Sequence, residues 1–246
     1  MQYINVGEIS ICNKNLTILP DLSKYRCVQK LYCSGNQITQ LNNLPPFLRE
    51  LNCSNNQITQ LDNLPSSLLK MNCSNNQITR LDNLPSSLRE LDCSYNQIIQ
   101  LDNLPSSLRE LYCYRNKITQ LDNLPSKLNK MVCSSNQVAQ LGNLPSFLQI
   151  LNCSNNQITQ LYDLPHSLQF LRCDDNKLEN NYLEYWKEQT KNKNKKLKLL
   201  KEKICIRKIQ RQWRKYWYDF YRYEIINGQN IGFCRFIEKS YLYHNQ

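Results

Sequence analysis

The chain has 246 residues, 41% of them hydrophobic, which is enough to bury a core and excludes a wholly disordered polypeptide. No apolar run reaches the roughly 18 residues that a membrane span requires, so no segment reads as transmembrane. The net charge of +11 is concentrated at one end: residues 182–246 carry 16 Lys+Arg and 6 Asp+Glu, a net of +10, leaving 15 basic and 14 acidic residues in 1–181. An electrostatic partner is therefore expected to meet the C-terminal segment.

Met1 to Glu8 have neither the basic n-region nor the apolar h-region of a secretory signal, so an intracellular, cytoplasmic location is expected. Residues 1–30 read as an N-terminal segment holding a worn first repeat, Ile9-Ser10-Ile11-Cys12-Asn13-Lys14-Asn15-Leu16 closed by Leu19. Its step to Leu31 is 22 residues from Ile9, and such atypical first copies act as caps.

From residue 31 to 181 a 20-residue unit recurs in eight copies. One unit runs from Leu48: Leu-Arg-Glu-Leu-Asn-Cys-Ser-Asn-Asn-Gln-Ile-Thr-Gln-Leu-Asp-Asn-Leu-Pro-Ser-Ser. Eight of the twelve cysteines, Cys33 through Cys173, fall at that interval of 20. A cysteine copied with the repeat is a packing choice, a small buried hydrophobe in a reducing compartment, rather than half of a disulfide. Leu51-Asn52-Cys53 and its equivalents alternate as a short strand does, and stacked copies about 4.8 Å apart make a parallel sheet roughly 40 Å long. Leu48, Leu51, Cys53, Ile58, Leu61 and Leu64 are expected to point inward. Asn56 and its equivalents sit where the chain leaves the strand, and a buried amide there can satisfy turn backbone groups. Pro65 disfavours helix at Leu64, so the outer arc is expected to be extended or polyproline-like.

The pattern L-x-x-L-x-C-x-x-N-x-I-x-x-L resembles the leucine-rich repeat over about 170 residues. The 20-residue length and the Leu-Pro-Ser-Ser ending resemble the short class found in bacterial type III effectors. The strand cysteine, within an Asn-, Lys-, Ile- and Tyr-rich composition, is similar to repeat proteins of amoeba-infecting, mimivirus-type giant viruses. These resemblances imply an α/β repeat solenoid, a leucine-rich-repeat horseshoe with a parallel concave sheet, and a viral protein that holds a host-cell partner.

Outward strand positions would line the concave face, which solenoids use for binding. Within a copied pattern, departures mark candidates. Tyr95, Tyr112, Tyr114 and Arg115 stand in central copies where others carry small polar residues, and Tyr and Arg are the types that anchor interfaces. Neutral drift on a solvated face would leave the same residues. Ile150, Phe170 and Arg172 form a second candidate group nearer the C-terminal end, where packing by the tail is the competing explanation.

The repeat fails at Asn181, and residues 182–246 read as a basic, mainly helical tail. Tyr182, Leu183 and Trp186 are expected to close the open end. Lys187 to Lys198 forms a basic stretch. Ile206, Ile209, Trp213, Tyr216 and Phe220 recur at helical spacing. Arg207, Lys208, Arg211 and Arg214, with Trp213, form a candidate contact for an acidic partner. That partner could be a calmodulin-like protein, because Ile209 to Arg214 resembles the first half of an IQ motif. Lys215 and Asp219 depart from its second half. Nucleic acid and an anionic membrane are the other partners of that class, and packing against the solenoid is the remaining reading. Asn227-Gly228 signals a hairpin turn in the last segment.

No catalytic site is expected. Cys205 and Cys234 lack the acidic neighbour of the ubiquitin-ligase Cys-x-Asp motif that some effectors with similar repeats carry. His166 and His244 are the only histidines, and no phosphate-cradling glycine loop occurs among five glycines. The cysteines lack Cys-x-x-Cys spacing, so neither a metal nor a cofactor is expected.

Overall fold

The computed structural model describes residues 4, 5 and 7–178, and the readings made for the tail, from Tyr182 to the Arg207–Arg214 group, lie outside them. Ten short strands are β1 (Ile4–Asn5), β2 (Glu8–Ser10), β3 (Lys30–Tyr32), β4 (Glu50–Asn52), β5 (Lys70–Asn72), β6 (Glu90–Asp92), β7 (Glu110–Tyr112), β8 (Lys130–Val132), β9 (Ile150–Asn152) and β10 (Phe170–Arg172). They form one sheet whose spatial order is the chain order. From β2 onward all pairs are parallel, and each residue lies opposite its equivalent in the next copy, as Leu51 opposite Met71. One sequence period is thus one coil of the solenoid.

The worn first copy keeps this register, with Ile9 opposite Leu31, despite its longer step. An antiparallel strand that the sequence reading did not assign, β1, covers its free edge. Gly7 makes the turn at φ 98°, and its carbonyl accepts bonds from Gln29 N (2.8 Å) and Lys30 N (3.0 Å). Gln29 O does the same for Arg49 N and Glu50 N one coil later. The hairpin reproduces the internal pattern and leaves a strand of two residues at that edge, which offers little backbone for further pairing.

Strands β4 and β6 bury their middle residue and leave the flanking two partly exposed, whereas β8 and β9 also bury their last residue and the middle residue of β10 is only half-buried. Leu48, Leu51, Cys53, Ile58 and Leu61 are at most 2% exposed, as expected. Leu64 is a correction: it is only half-buried, and Pro85, Pro105, Pro125 and Pro145 turn inward in the following coils while their preceding leucines stay half-buried. A proline ring has no N–H to satisfy, so it enters the core without losing a hydrogen bond. Its carbonyl closes a tight turn, accepting from Leu88 N (3.0 Å) in the case of Pro85. No helix occurs among the described residues, so they form a β-solenoid where an α/β class was expected. A proline and left-handed backbone at a residue such as Asn83 (φ 60°) in each outer arc are incompatible with helix.

Two side-chain ladders join the coils. Asn56 Nδ2 donates to Cys33 O, Cys53 O and Ser54 O at 3.0–3.1 Å, while its Oδ1 accepts from Ile38 N at 3.0 Å. Asn76, Asn96, Asn116, Asn136, Asn156 and Asn176 repeat this set. The second ladder explains the Ser-Ser ending, to which the sequence reading gave no role. Ser67, Ser87, Ser107 and Ser167 Oγ donate to Leu48, Leu68, Leu88 and Leu148 O at 2.6–2.8 Å.

The eight repeat cysteines are free thiols stacked inside this core. Burial pushes their pKa values up, to about 12 at Cys33 and Cys133 and about 11 at Cys173. Thiolate is the reactive form, so these groups are inert while the coil stays closed. In a Cys205→Ser, Cys234→Ser background at pH 8, a thiol-specific reagent is expected to label exposed Cys27 readily. The repeat thiols are expected to react only after denaturant is added. Rapid native labelling of Cys93 or Cys113 would contradict this packing.

Candidate functional site

The outward strand column is largely self-neutralised. Lys30 pairs with Glu50 at 3.6 Å, Lys70 with Glu90 at 2.8 Å, and Lys130 with Glu110 at 3.6 Å. Glu90 and Glu110 are register neighbours, so Lys70 and Lys130 on their far sides relieve a like-charge contact. Tyr32 Oη donates to Glu50 Oε1 at 3.1 Å and Tyr112 Oη to Glu110 Oε2 at 2.8 Å. Lys130 Nζ lies 4.9 Å from the Tyr112 ring centroid. Tyr112, a candidate from the sequence, is thus built into this network.

Tyr95, Tyr114 and Arg115 come together just beyond the sheet, where the chain leaves the strands. The Tyr95 and Tyr114 rings meet edge to face, with centroids 5.2 Å apart and planes at 77°. The Arg115 guanidinium lies 5.0 Å over the Tyr95 ring. Tyr114 is half-buried, and desolvation followed by the nearby Asp92 carboxylate pushes its phenol pKa up. Tyr95 and Arg115 line an open groove of about 630 Å³ together with Asn75, Asn96, Asn116, Ser135 and Asn155, and Tyr114 braces the Tyr95 ring without lining the groove itself.

Backbone conformation sets this column apart. Asn55, Asn75, Tyr95, Arg115, Ser135, Asn155 and Asp175 all have φ between 53° and 56°, and Gly35 has φ 68°. Left-handed backbone costs a typical L-residue roughly 1–2 kcal/mol, and Asn, Asp and Gly tolerate it best. Tyr95 and Arg115 therefore hold bulky side chains where the other coils use Gly, Asn, Ser or Asp.

Lys117, two positions on in the same coil as Arg115, was missed by the sequence reading. It is exposed, breaks with Lys177 a column that is Gln at 37, 57, 77, 97, 137 and 157, and its Nζ donates to Gln97 Oε1 at 3.4 Å. The signal was the one that singled out Arg115, a departure from a copied residue. Among the described residues no carboxylate lies within the 4.0 Å of an ion pair from Arg115 or Lys117, in contrast to the paired Lys70 and Lys130.

The second candidate group is separate. Ile150 and Phe170 are register neighbours and half-buried, and Arg172 is held by Asp174 through Nε to Oδ1 at 2.7 Å and Nη2 to Oδ2 at 3.0 Å. Its fork is engaged within its own coil.

Asp92 occupies a strand position that is Asn at 52, 72 and 152. Its carboxylate accepts from Ser94 N at 3.0 Å, yet desolvation outweighs the hydrogen bonds and raises its pKa. The side chain keeps some solvent contact, which moderates the penalty. A raised carboxyl pKa leaves stability intact below the unfolded-state value and lowers it as pH rises through the folded-state value. Asp92→Asn is accordingly expected to raise the melting temperature at pH 7. The gain should shrink as pH falls into the carboxylate range, and a gain that grows on acidification would contradict the assignment.

No group of three or more His, Cys, Asp or Glu side chains suited to a metal occurs among the described residues, nor does a helix long and apolar enough to cross a membrane.

Comparison with known proteins agrees with this architecture. A family model of leucine-rich repeats in two copies matches residues 28–66 and 86–126. The leucine-rich effector protein YopM of Yersinia pestis aligns with 34% identity over 68% of this chain and 48% of its own, with a TM-score of 0.65. An internalin, InlF, of Listeria monocytogenes aligns with 24% identity over 66% of this chain and 52% of its own, with a TM-score of 0.61. The leucine-rich-repeat domain of a Shigella effector aligns with 24% identity over 76% of this chain and 77% of its own, at a TM-score of 0.53. At 24% identity the last two bear on the fold alone. The chain spans about half the length of YopM and of the internalin. No curated protein matches it significantly.

Proposed function

We propose that this chain is a non-catalytic protein-interaction module whose partner lies across the concave face and the groove at its edge. The observation that carries this reading is the Tyr95–Tyr114–Arg115 cluster. Aromatic and Arg side chains are the usual anchors of protein interfaces, and here two of them stand on backbone that disfavours them. The leucine-rich-repeat solenoid, a fold typical of interaction modules, adds support from the architecture. The partner is read as a host-cell protein met inside the cell. A second reading rests on the net charge of +10 in residues 182–246: the tail holds an acidic partner, and the repeats act as its scaffold.

Capture from a host-cell lysate separates the two. The full chain would be compared with Tyr95→Asn/Tyr114→Ser/Arg115→Asn and with Arg207→Gln/Lys208→Gln/Arg211→Gln/Arg214→Gln, each at low and high salt. A protein retained by wild type at both ionic strengths and lost from the first variant supports the groove. Binding lost from the second variant, and abolished by salt as counterion release requires, supports the tail.

A further inference from the structure

We infer that the groove takes an extended acidic segment of a partner protein, with a carboxylate seated on Arg115, supported by Lys117 two positions on, and an adjacent apolar side chain on the Tyr95 ring that Tyr114 braces. This inference rests on the groove being the binding site and specifies what it binds. Asn75, Tyr95, Arg115, Ser135 and Asn155 line the groove at one residue per coil. Four strand spacings of about 4.8 Å make this row roughly 19 Å long, the reach of about six residues of extended chain.

Charge selects the occupant. Lys70, Arg80 and Lys130 have carboxylate partners, whereas Arg89, Arg109 and Arg115 have none among the described residues, and of these three Arg115 alone lines the groove. Arg115 and Lys117 are two positions apart in one coil, both exposed, with no carboxylate partner among the described residues. The nearby Asp92 is tied to Ser94 N, and the like-sited Asp175 lies three coils away in the same column. Arg115 is also braced over Tyr95, so less side-chain freedom is lost when it pairs. Edge-to-face packing of Tyr114 leaves Tyr95 half-exposed, which places an aromatic surface beside the Arg115 guanidinium. A segment alternating acidic and apolar side chains along an extended backbone matches that arrangement.

The test is selection from a randomised library of extended octapeptides against the full chain, against Arg115→Gln/Lys117→Gln, against Arg115→Glu/Lys117→Glu, and against Tyr95→Asn/Tyr114→Ser. The basic tail is common to all four and cancels in the comparison. The expected result is enrichment of Asp or Glu next to an aromatic or aliphatic residue by wild type. That enrichment should fall at least tenfold with the Gln pair and invert toward Lys and Arg with the Glu pair. Acidic enrichment that is equal in the Gln pair, or absent from wild type, overturns the inference. If wild-type peptides lack the acidic bias but still need Tyr95 and Tyr114, the groove stands and only its acidic specificity fails. If none of the three pairs of substitutions changes the selected peptides, the groove reading fails as well.

Discussion

Asn96→Ala is expected to lower the free energy of unfolding by about 3–5 kcal/mol, since a buried group left without its partner costs about 1–3 kcal/mol and each lost hydrogen bond about 1. The Asn96 amide makes four bonds: Nδ2 to Cys73 O (3.1 Å), Cys93 O (3.0 Å) and Ser94 O (3.1 Å), and Oδ1 from Ile78 N (2.9 Å). Removal strands the Ile78 N–H outright, whereas the carbonyls keep a bond each from Asn76, Asn116 or Asn75 N. Asn96→Asp keeps the acceptor but turns an anion toward three carbonyls, so at neutral pH it should be at least as damaging. Its defect should ease at low pH, where the protonated carboxyl donates one bond. Urea unfolding measures both, and a loss below about 1 kcal/mol for the alanine variant would make the ladder incidental. The serine ladder is the contrast. Lys127 and Phe147 already replace its serine, so Ser107→Ala should cost only about 1 kcal/mol.

Returning the cluster to the residues of its neighbours, with Tyr95→Asn, Tyr114→Ser and Arg115→Asn, is expected to weaken partner binding more than a hundredfold, because anchor residues at interfaces contribute about 2 kcal/mol or more each. Stability should move little. Asn relieves left-handed backbone at two positions, worth roughly 0.5–1 kcal/mol each, and loss of the half-buried Tyr114 ring offsets that gain. Tyr95→Asn alone relieves the backbone but also removes the ring contacts with Tyr114 and Arg115, so the melting temperature should change little while binding weakens. Binding lost without stability lost is the signature of a residue kept for contact rather than for the fold. Titration calorimetry and thermal unfolding on the same samples read the two quantities.

Much of the solenoid was legible because a copied interval of 20 makes sequence equivalents into spatial neighbours. That reasoning placed Leu51 opposite Met71, turned Cys53 inward and gave the Asn56 amide its role before any coordinates. It also aligned Tyr95 with Arg115, which are 20 residues apart. What escaped it depends on directions that a period does not encode. Tyr112 and Tyr114 both point outward, yet one turns to Glu110 and Lys130 and the other to Tyr95. The strand Ile4–Asn5 is too short and unrepeated to declare itself. Proline 85 displacing leucine from the core follows from donor satisfaction, which outweighed the hydrophobic ranking that pointed to leucine. The left-handed column could have been read from Gly35, Asn55 and Asn75, residue types that tolerate positive φ, and would have marked Tyr95 and Arg115 more sharply.

Site-specific photocrosslinking tests the proposed binding face most directly. A benzophenone side chain would be placed at position 135, which lines the groove and leaves Tyr95, Tyr114 and Arg115 intact, and, separately, at position 147, where Phe147 is 67% exposed on the outer arc. The expected result is a discrete protein adduct from position 135 and none from position 147, unaffected by neutralising the tail. Adducts confined to position 147, or adducts at 135 that vanish with the tail charges, would contradict the groove as the binding site.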